Sequence, residues 1–209
     1  MNTPELGIGS FTIKTLCEYH NSSTSQLDSE AIKFNKTIDE WNSRAKNTRS
    51  LPVSRVPKRV FKIDGLLLER WLLKALINNI FSFSDENKNP MATNWNPSQE
   101  LVKIVYGDKA FSGNMGLYYV DAPFDIKTEE FFFIKSLFKE DEIFAAIIKF
   151  RGFQFLLNFT ENHPPSFKHE CFKSGNQVIH FGGTPVYRRE LIQLKRSSKV
   201  IQEIKFNWI

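Results

Sequence analysis

The residues of this chain that are best suited to metal chemistry are a cysteine and a histidine near its amino end. Cys17 and His20 are separated by two residues, and Asn21 follows directly. This spacing is typical of a ligand pair for zinc, which binds thiolate sulfur and imidazole nitrogen. A structural zinc needs four ligands, so this pair supplies half of a site.

A second pair of the same residue types lies far along the chain, at His169 and Cys171. Together with Cys17 and His20, it would complete a tetrahedral set of ligands. Zinc is therefore the one cofactor that the sequence indicates. In the alternative interpretation, Cys17 is a small buried apolar group and Cys171 is a loop thiol, because nothing in the sequence forces the two ends of the chain together.

Positive charge is concentrated between residues 44 and 62, which we call the basic segment. It contains seven basic residues and no acidic residue, whereas the net charge of the whole chain is +5. Such a block is typical of contact with the phosphate groups of nucleic acid, and a solvated linker is the alternative interpretation. The predicted nucleic-acid contacts are Arg44, Lys46, Arg49, Arg55, Lys58, Arg59 and Lys62.

A second basic group lies near the carboxyl end of the chain. Phosphate binding requires several cations on one face, but lysines on sheet edges also prevent association between edges. We favour the second role for this group. It consists of Arg188, Arg189, Lys195, Arg196, Lys199 and Lys205. No phosphate loop, dinucleotide fingerprint or Gly-x-Ser-x-Gly elbow occurs in the sequence, and no catalytic residue is predicted.

Two long helices must position the amino-terminal residues. The first is predicted from Ser25 to about Asn42, with Thr24 or Ser25 as its cap, because its apolar residues recur every three or four positions. Those residues are Leu27, Ala31, Phe34, Ile38 and Trp41. The second helix, predicted from about Leu66 to Phe83, is apolar on most of its circumference, so we expect it to be largely buried.

The second half of the chain predicts β-strands. Residues 130–138, 143–150 and 153–159 form nearly continuous apolar runs, which indicates strands that are covered on both faces. The two-residue gap Arg151-Gly152 predicts a tight hairpin. The expected fold class is α+β, with amino-terminal helices, one of them largely buried, packed on a mainly antiparallel β-sheet meander.

Composition excludes several classes of protein. A hydrophobic fraction of 41% and an aromatic fraction of 14% are too high for a disordered chain. Two cysteines and the absence of an apolar leader favour a cytoplasmic protein over a disulfide-rich secreted one. The most apolar window, residues 66–81, carries Glu69, Arg70 and Lys74, so we expect a core helix and no contact with a membrane.

The motif Cys17-Glu18-Tyr19-His20-Asn21, which leads into Leu27-Asp28-Ser29-Glu30-Ala31, resembles the end of the zinc-stapled ββα module of bacterial HNH-type endonucleases. The resemblance implies metal-assisted cleavage of a phosphodiester, with a structural zinc that holds the module together. Upstream of Cys17 there is no histidine and no other cysteine, so the general base and the first zinc pair of that family are missing. With Met1 as the start of the protein, we expect no HNH catalysis.

The sequence thus predicts three parts and three alternative functions. Residues 1–43 would be an HNH-like remnant with an amphipathic helix, 44–62 a basic linker, and 63–209 an α+β domain. The first functional hypothesis is a non-catalytic or incomplete HNH-related protein that binds nucleic acid through the basic segment. The second is a protein-interaction subunit that contacts an acidic partner, and the third is an active HNH endonuclease completed by a missing segment or a partner.

Overall fold

A computed structural model of the protein describes residues 22–82, 96–113, 115–120, 132–139, 142–159, 191–196 and 199–208. The helices in these ranges are α1 (Ser25–Asn47), α2 (Gly65–Ser82) and α3 (Gln99–Tyr106). The strands are β1 (Arg59–Asp64), β2 (Gly116–Val120), β3 (Phe132–Lys139), β4 (Glu142–Phe150), β5 (Phe153–Asn158), β6 (Leu191–Arg196) and β7 (Lys199–Asn207). A short 3-10 turn, Val53–Arg55, lies between α1 and β1. The predicted α+β class is confirmed.

The strands in these ranges form two sheets. The four-stranded sheet is antiparallel throughout, with the strand order β2-β5-β4-β3. The three-stranded sheet has the order β1-β7-β6, in which β7 is parallel to β1 and antiparallel to β6. The sequence predicted one sheet from the second half of the chain. A second sheet forms because β1, which precedes α2, pairs with β7, the last strand. This pairing was not predicted, because the local periodicity of a strand carries no information about distant partners.

The hairpin between β4 and β5 has the predicted two-residue loop. Phe150 and Phe153 are register partners, and the loop residues Arg151 and Gly152 have φ angles of 53° and 83°. Positive φ at both positions is the requirement of the type I′ turn, whose twist matches that of the flanking strands. The side chain of Arg151 also forms an ion pair with Asp39 on α1, so the turn is held against the first helix.

Helix α1 joins the two sheets through Phe34. This side chain is completely buried, and its ring centroid lies 5.4 Å from those of Phe150 and Phe153 and 6.2 Å from that of Phe206. The first two rings belong to the four-stranded sheet and the third belongs to the three-stranded sheet. The predicted apolar face of α1 therefore packs on both sheets, and the helix continues to Asn47, further than its apolar pattern indicated.

Helix α2 is largely buried, as predicted. Leu68, Leu72, Leu73 and Leu76 are completely buried in the main core. No helix in the described ranges combines the length and the apolar character that crossing a bilayer requires.

The polar residues of α2 bind the amino end of α1. Lys74 Nζ donates hydrogen bonds to both carboxylate oxygens of Asp28, at 3.1 and 3.0 Å, and to Thr24 Oγ1 at 3.0 Å. Trp71 Nε1 donates to Asp28 Oδ1 at 3.0 Å. Thr24 occupies the predicted cap position, but its side chain makes no capping hydrogen bond to α1. The Thr24 hydroxyl instead accepts the hydrogen bond from Lys74 and so links the two helices.

The four-stranded sheet is covered on both faces, as its apolar runs predicted. Its helix-facing side chains belong to the main core, which includes residues of α1 and α2. Alternate residues form a second cluster on the opposite face, and all of its central members are buried. These are Tyr118, Leu137, Ala145, Ile147 and Leu156.

Candidate anion-binding cleft

The parallel pairing of β1 with β7 brings two lysines together. Lys62 and Lys205 are register partners, so their side chains leave the same face of the three-stranded sheet from adjacent strands. Both are exposed, and neither makes an ion pair or a hydrogen bond with another residue in the described part of the chain. Like charges directly opposite one another destabilise a sheet, so this arrangement favours the approach of an anion.

The two lysines border a cleft of about 430 Å³ at the carboxyl ends of β1 and β7. Lys33 approaches the same cleft from α1, and more than half of its side chain is exposed. We call this feature the basic cleft. It is lined by Lys33, Lys62, Ile63, Asp64, Lys205, Phe206 and Asn207. Its volume lies within the range typical of small-molecule sites.

The acidic groups near the cleft are engaged in the fold. Asp64 Oδ1 accepts a hydrogen bond of 2.9 Å from the backbone N–H of Leu67, in the first turn of α2. Glu30 Oε1 accepts bonds from the backbone N–H of Asp64 at 2.7 Å and from Lys33 Nζ at 2.9 Å. Neither carboxylate forms an ion pair with Lys62 or Lys205 in the described ranges. The charge of these two lysines therefore remains available to a ligand.

Glu203 is the buried acidic residue on the same face of β7, two positions before Lys205. Its carboxylate accepts hydrogen bonds from Lys58 Nζ and from Gln193 Nε2, both at 3.2 Å. The bond from Lys58 lowers the pKa of Glu203 below its usual value, with a smaller contribution from the charge of Lys205. Glu203 is thus held as a carboxylate by Lys58.

Three of the seven cations of the basic segment bind distant parts of the chain through their side chains. Arg44 donates to the backbone carbonyls of Ile201 and Pro57, at 3.2 and 2.6 Å, and the other two form ion pairs, Arg59 with Glu40 and Lys58 with Glu203. Lys46, Arg49, Arg55 and Lys62 are exposed, as are Lys58 and Arg59, whereas Arg44 is half-buried.

The basic segment also packs along β7. Lys199 Nζ donates to the backbone carbonyls of Ser54 and Val56, at 3.1 and 3.2 Å, so the turn that contains Arg55 lies against the beginning of this strand. Lys205 lies near the other end of β7. At about 3.3 Å per residue, roughly 20 Å of strand separates these two points, so exposed cations occur at both ends of the β1–β7 pair.

The structure adds two residues to those chosen from the sequence. Lys205 was placed in a group whose expected role was the protection of sheet edges, and its position beside Lys62 depends on a pairing between distant strands. Lys33 was not selected, because the helical pattern of α1 indicates only that this position is exposed. The sequence contains no signal that places Lys33, Lys62 and Lys205 close together, because their proximity depends on the β1–β7 register.

The predicted zinc ligands lie outside the described residues. This applies to Cys17, His20, His169 and Cys171 alike. Among the residues that the structure does describe, no three histidine, cysteine or acidic side chains form a group that could hold a metal ion. The zinc site stays a prediction from the sequence.

Comparison with protein-family models finds no match, and no curated protein or solved structure is significantly similar to this chain.

Proposed function

We propose that this protein binds nucleic acid through its phosphate groups, with Lys62 and Lys205 at the centre of the contact. The observation that carries the proposal is the position of these two exposed ammonium groups, side by side at one cleft and outside any ion pair in the described chain. Phosphates that bind lysine release counterions from the nucleic acid, and this release drives association.

The distribution of the other cations supports a chain-like ligand. Arg55 lies near the beginning of β7, and the Lys62–Lys205 pair lies roughly 20 Å away at its end. A nucleic-acid strand that follows β7 could contact both positions with different phosphates, because phosphates recur at intervals of only a few ångströms. A small anion could reach one end alone.

The proposal includes a relationship to HNH endonucleases, in a non-catalytic or incomplete form, which rests on the motif from Cys17 to Asn21. In that family two zinc pairs and a catalytic histidine are combined, and this sequence supplies Cys17 and His20 alone from its first part. We expect residues 1–209 by themselves to bind nucleic acid without cleavage when Mg²⁺, Mn²⁺ or Zn²⁺ is added. Metal-dependent cleavage that is lost in a His20→Ala variant would instead identify an active nuclease.

The test of binding is fluorescence anisotropy with labelled single-stranded and duplex oligonucleotides, over a range of about 50–200 mM salt. We expect affinity to fall as salt rises. The double variant Lys62→Gln/Lys205→Gln should bind more weakly, and the slope of log affinity against log salt should decrease by about 1–2, since two phosphate contacts are lost.

The matched control is Lys135→Gln/Lys149→Gln. It removes the same charge from two exposed lysines on the four-stranded sheet, so it should retain the affinity and the slope of the wild type. Equal weakening of both double variants would show a non-specific effect of net charge and would overturn the proposal. Polyglutamate serves as the competitor: displacement of the oligonucleotide at equal charge concentration would favour an acidic protein partner instead.

A further inference from the structure

We infer that the basic cleft binds a phosphomonoester, either the terminal phosphate of a nucleic-acid strand or the phosphate of a free mononucleotide. This inference rests on the proposed function in one respect, since it states which phosphate of the nucleic acid the Lys62–Lys205 pair recognises. A phosphomonoester differs from the phosphodiesters of the backbone in charge and in the number of terminal oxygens, and both differences match the cleft.

The charge of the cleft is suited to a dianion. Lys62 and Lys205 lie on adjacent strands, and their backbones are about 4.8 Å apart. A phosphomonoester carries a charge of about −1.5 to −2 at neutral pH, whereas a phosphodiester carries one negative charge. The Asp64 carboxylate also lines the cleft, but it is bound to the backbone N–H of Leu67 and forms no ion pair with either lysine in the described ranges. One phosphomonoester can therefore pair with both ammonium groups at once, whereas a phosphodiester carries only one negative charge for the two.

The donors around the cleft match the oxygens of such a group. A phosphomonoester presents three strong acceptor oxygens, and three lysines line the cleft. Lys33 uses one donor in its 2.9 Å bond to Glu30, but an ammonium group has three donors. Its position on α1 brings it to the cleft from outside the β1–β7 pair. The three cations therefore approach from three different elements of the fold, α1, β1 and β7.

The size of the cleft suits a single phosphate group with the nucleotide that carries it. Its volume of about 430 Å³ is that of a site for a single small ligand. Ile63 and Phe206 belong to the main core and are almost completely buried, so the accessible side chains of the cleft are mainly polar or charged. This surface suits the phosphate group of the ligand.

The experiment compares three probes on the full-length protein. They are an oligonucleotide with hydroxyl groups at both ends, the same oligonucleotide phosphorylated at its 5′ or 3′ end, and a nucleoside monophosphate. We expect the phosphorylated strand to bind roughly tenfold more tightly than the unphosphorylated one, in line with one additional charge-assisted contact. This preference should disappear in Lys62→Gln/Lys205→Gln and persist in Lys135→Gln/Lys149→Gln.

The pH dependence gives a second readout. The second pKa of a phosphomonoester is about 6, so affinity for the phosphorylated strand should rise between pH 5 and pH 7.5 while affinity for the unphosphorylated strand should not. Thermal unfolding of each variant confirms that it is folded, which is expected because all four substituted lysines are exposed.

The outcomes separate this inference from the proposed function. Equal, lysine-dependent binding of both strands would support nucleic-acid binding and overturn the phosphomonoester site. Binding of the mononucleotide alone, lost in Lys62→Gln/Lys205→Gln, would support the site for a free nucleotide and overturn the proposed function. If no probe binds, or if binding is unaffected by loss of the two lysines, the inference is overturned.

Discussion

Lys62 on β1 and Lys205 on β7 are direct neighbours across a parallel strand pair, and neither forms an ion pair within the described part of the chain. Like charges in this position destabilise the folded state, while opposite charges stabilise it. The destabilising effect of this lysine pair is explained if the two charges bind a ligand. A single substitution that removes the repulsion should then raise the free energy of unfolding and weaken ligand binding.

The variant Lys62→Glu tests this opposition. It places a carboxylate beside Lys205, so we expect the free energy of unfolding to increase by about 0.2–1 kcal/mol. The same change should abolish binding of phosphorylated ligands, because it removes one cation and neutralises another. Urea denaturation measures the first effect and anisotropy the second. A loss of stability together with unchanged binding would show that Lys62 has a structural role instead.

Arg44 should behave in the opposite way from Lys62, although both belong to the basic segment. Its guanidinium holds the carbonyls of Ile201 and Pro57, so Arg44→Gln should lower the free energy of unfolding by about 1–2 kcal/mol. Affinity for nucleic acid should be unchanged wherever the variant is folded. The control is Lys46→Gln, two residues further along α1, which is exposed and should change stability by less than about 0.5 kcal/mol.

Glu203 and Lys58 predict a specific dependence of stability on pH. Lys58 lowers the pKa of Glu203 in the folded protein, so the contact stabilises the fold above the unfolded-state pKa of about 4.3. This stabilisation is lost as the pH falls through the lower pKa of the folded state. We expect the difference in unfolding free energy between the wild type and Glu203→Gln to be constant from neutral pH to about pH 5 and to shrink below about pH 4.

Urea denaturation at several pH values measures this difference. Lys58→Gln is the companion variant, because it removes the donor and keeps the carboxylate. It should reduce the same pH-dependent contribution. A difference between wild type and Glu203→Gln that stays constant down to pH 3 would mean that the Lys58 contact does not set the pKa of this group.

The elements of this fold could be predicted because their signals are local. The spacing of Leu27, Ala31, Phe34 and Ile38 indicated a helix with one buried face, and all four are buried. The Arg151-Gly152 gap indicated a tight turn, which the positive φ angles confirm. In each case the residues that decide the conformation are close together in the sequence.

The basic cleft could not be predicted in the same way, because its geometry depends on distant partners. Lys62 and Lys205 are more than a hundred residues apart, and the sequence gives no sign that β1 pairs with β7 in the register that joins them. For the same reason, Arg44, Lys58 and Lys62 could not be distinguished from the sequence, and all three were predicted to contact nucleic acid. The carbonyls and the carboxylate that bind the first two also come from elsewhere in the chain.

The packing of α1 on both sheets leads to the last prediction. The ring of Phe34 is completely buried among rings of β4, β5 and β7, so Phe34→Ala leaves a cavity where the two sheets meet and should cost about 3–5 kcal/mol of unfolding free energy. Phe133→Ala removes the same atoms from a side chain that is 46% exposed, and its effect should stay within about 0.5 kcal/mol. Chemical denaturation compares the two variants. Similar losses of unfolding free energy in the two variants would contradict the central position of Phe34, because they would mean that the two rings are equally buried.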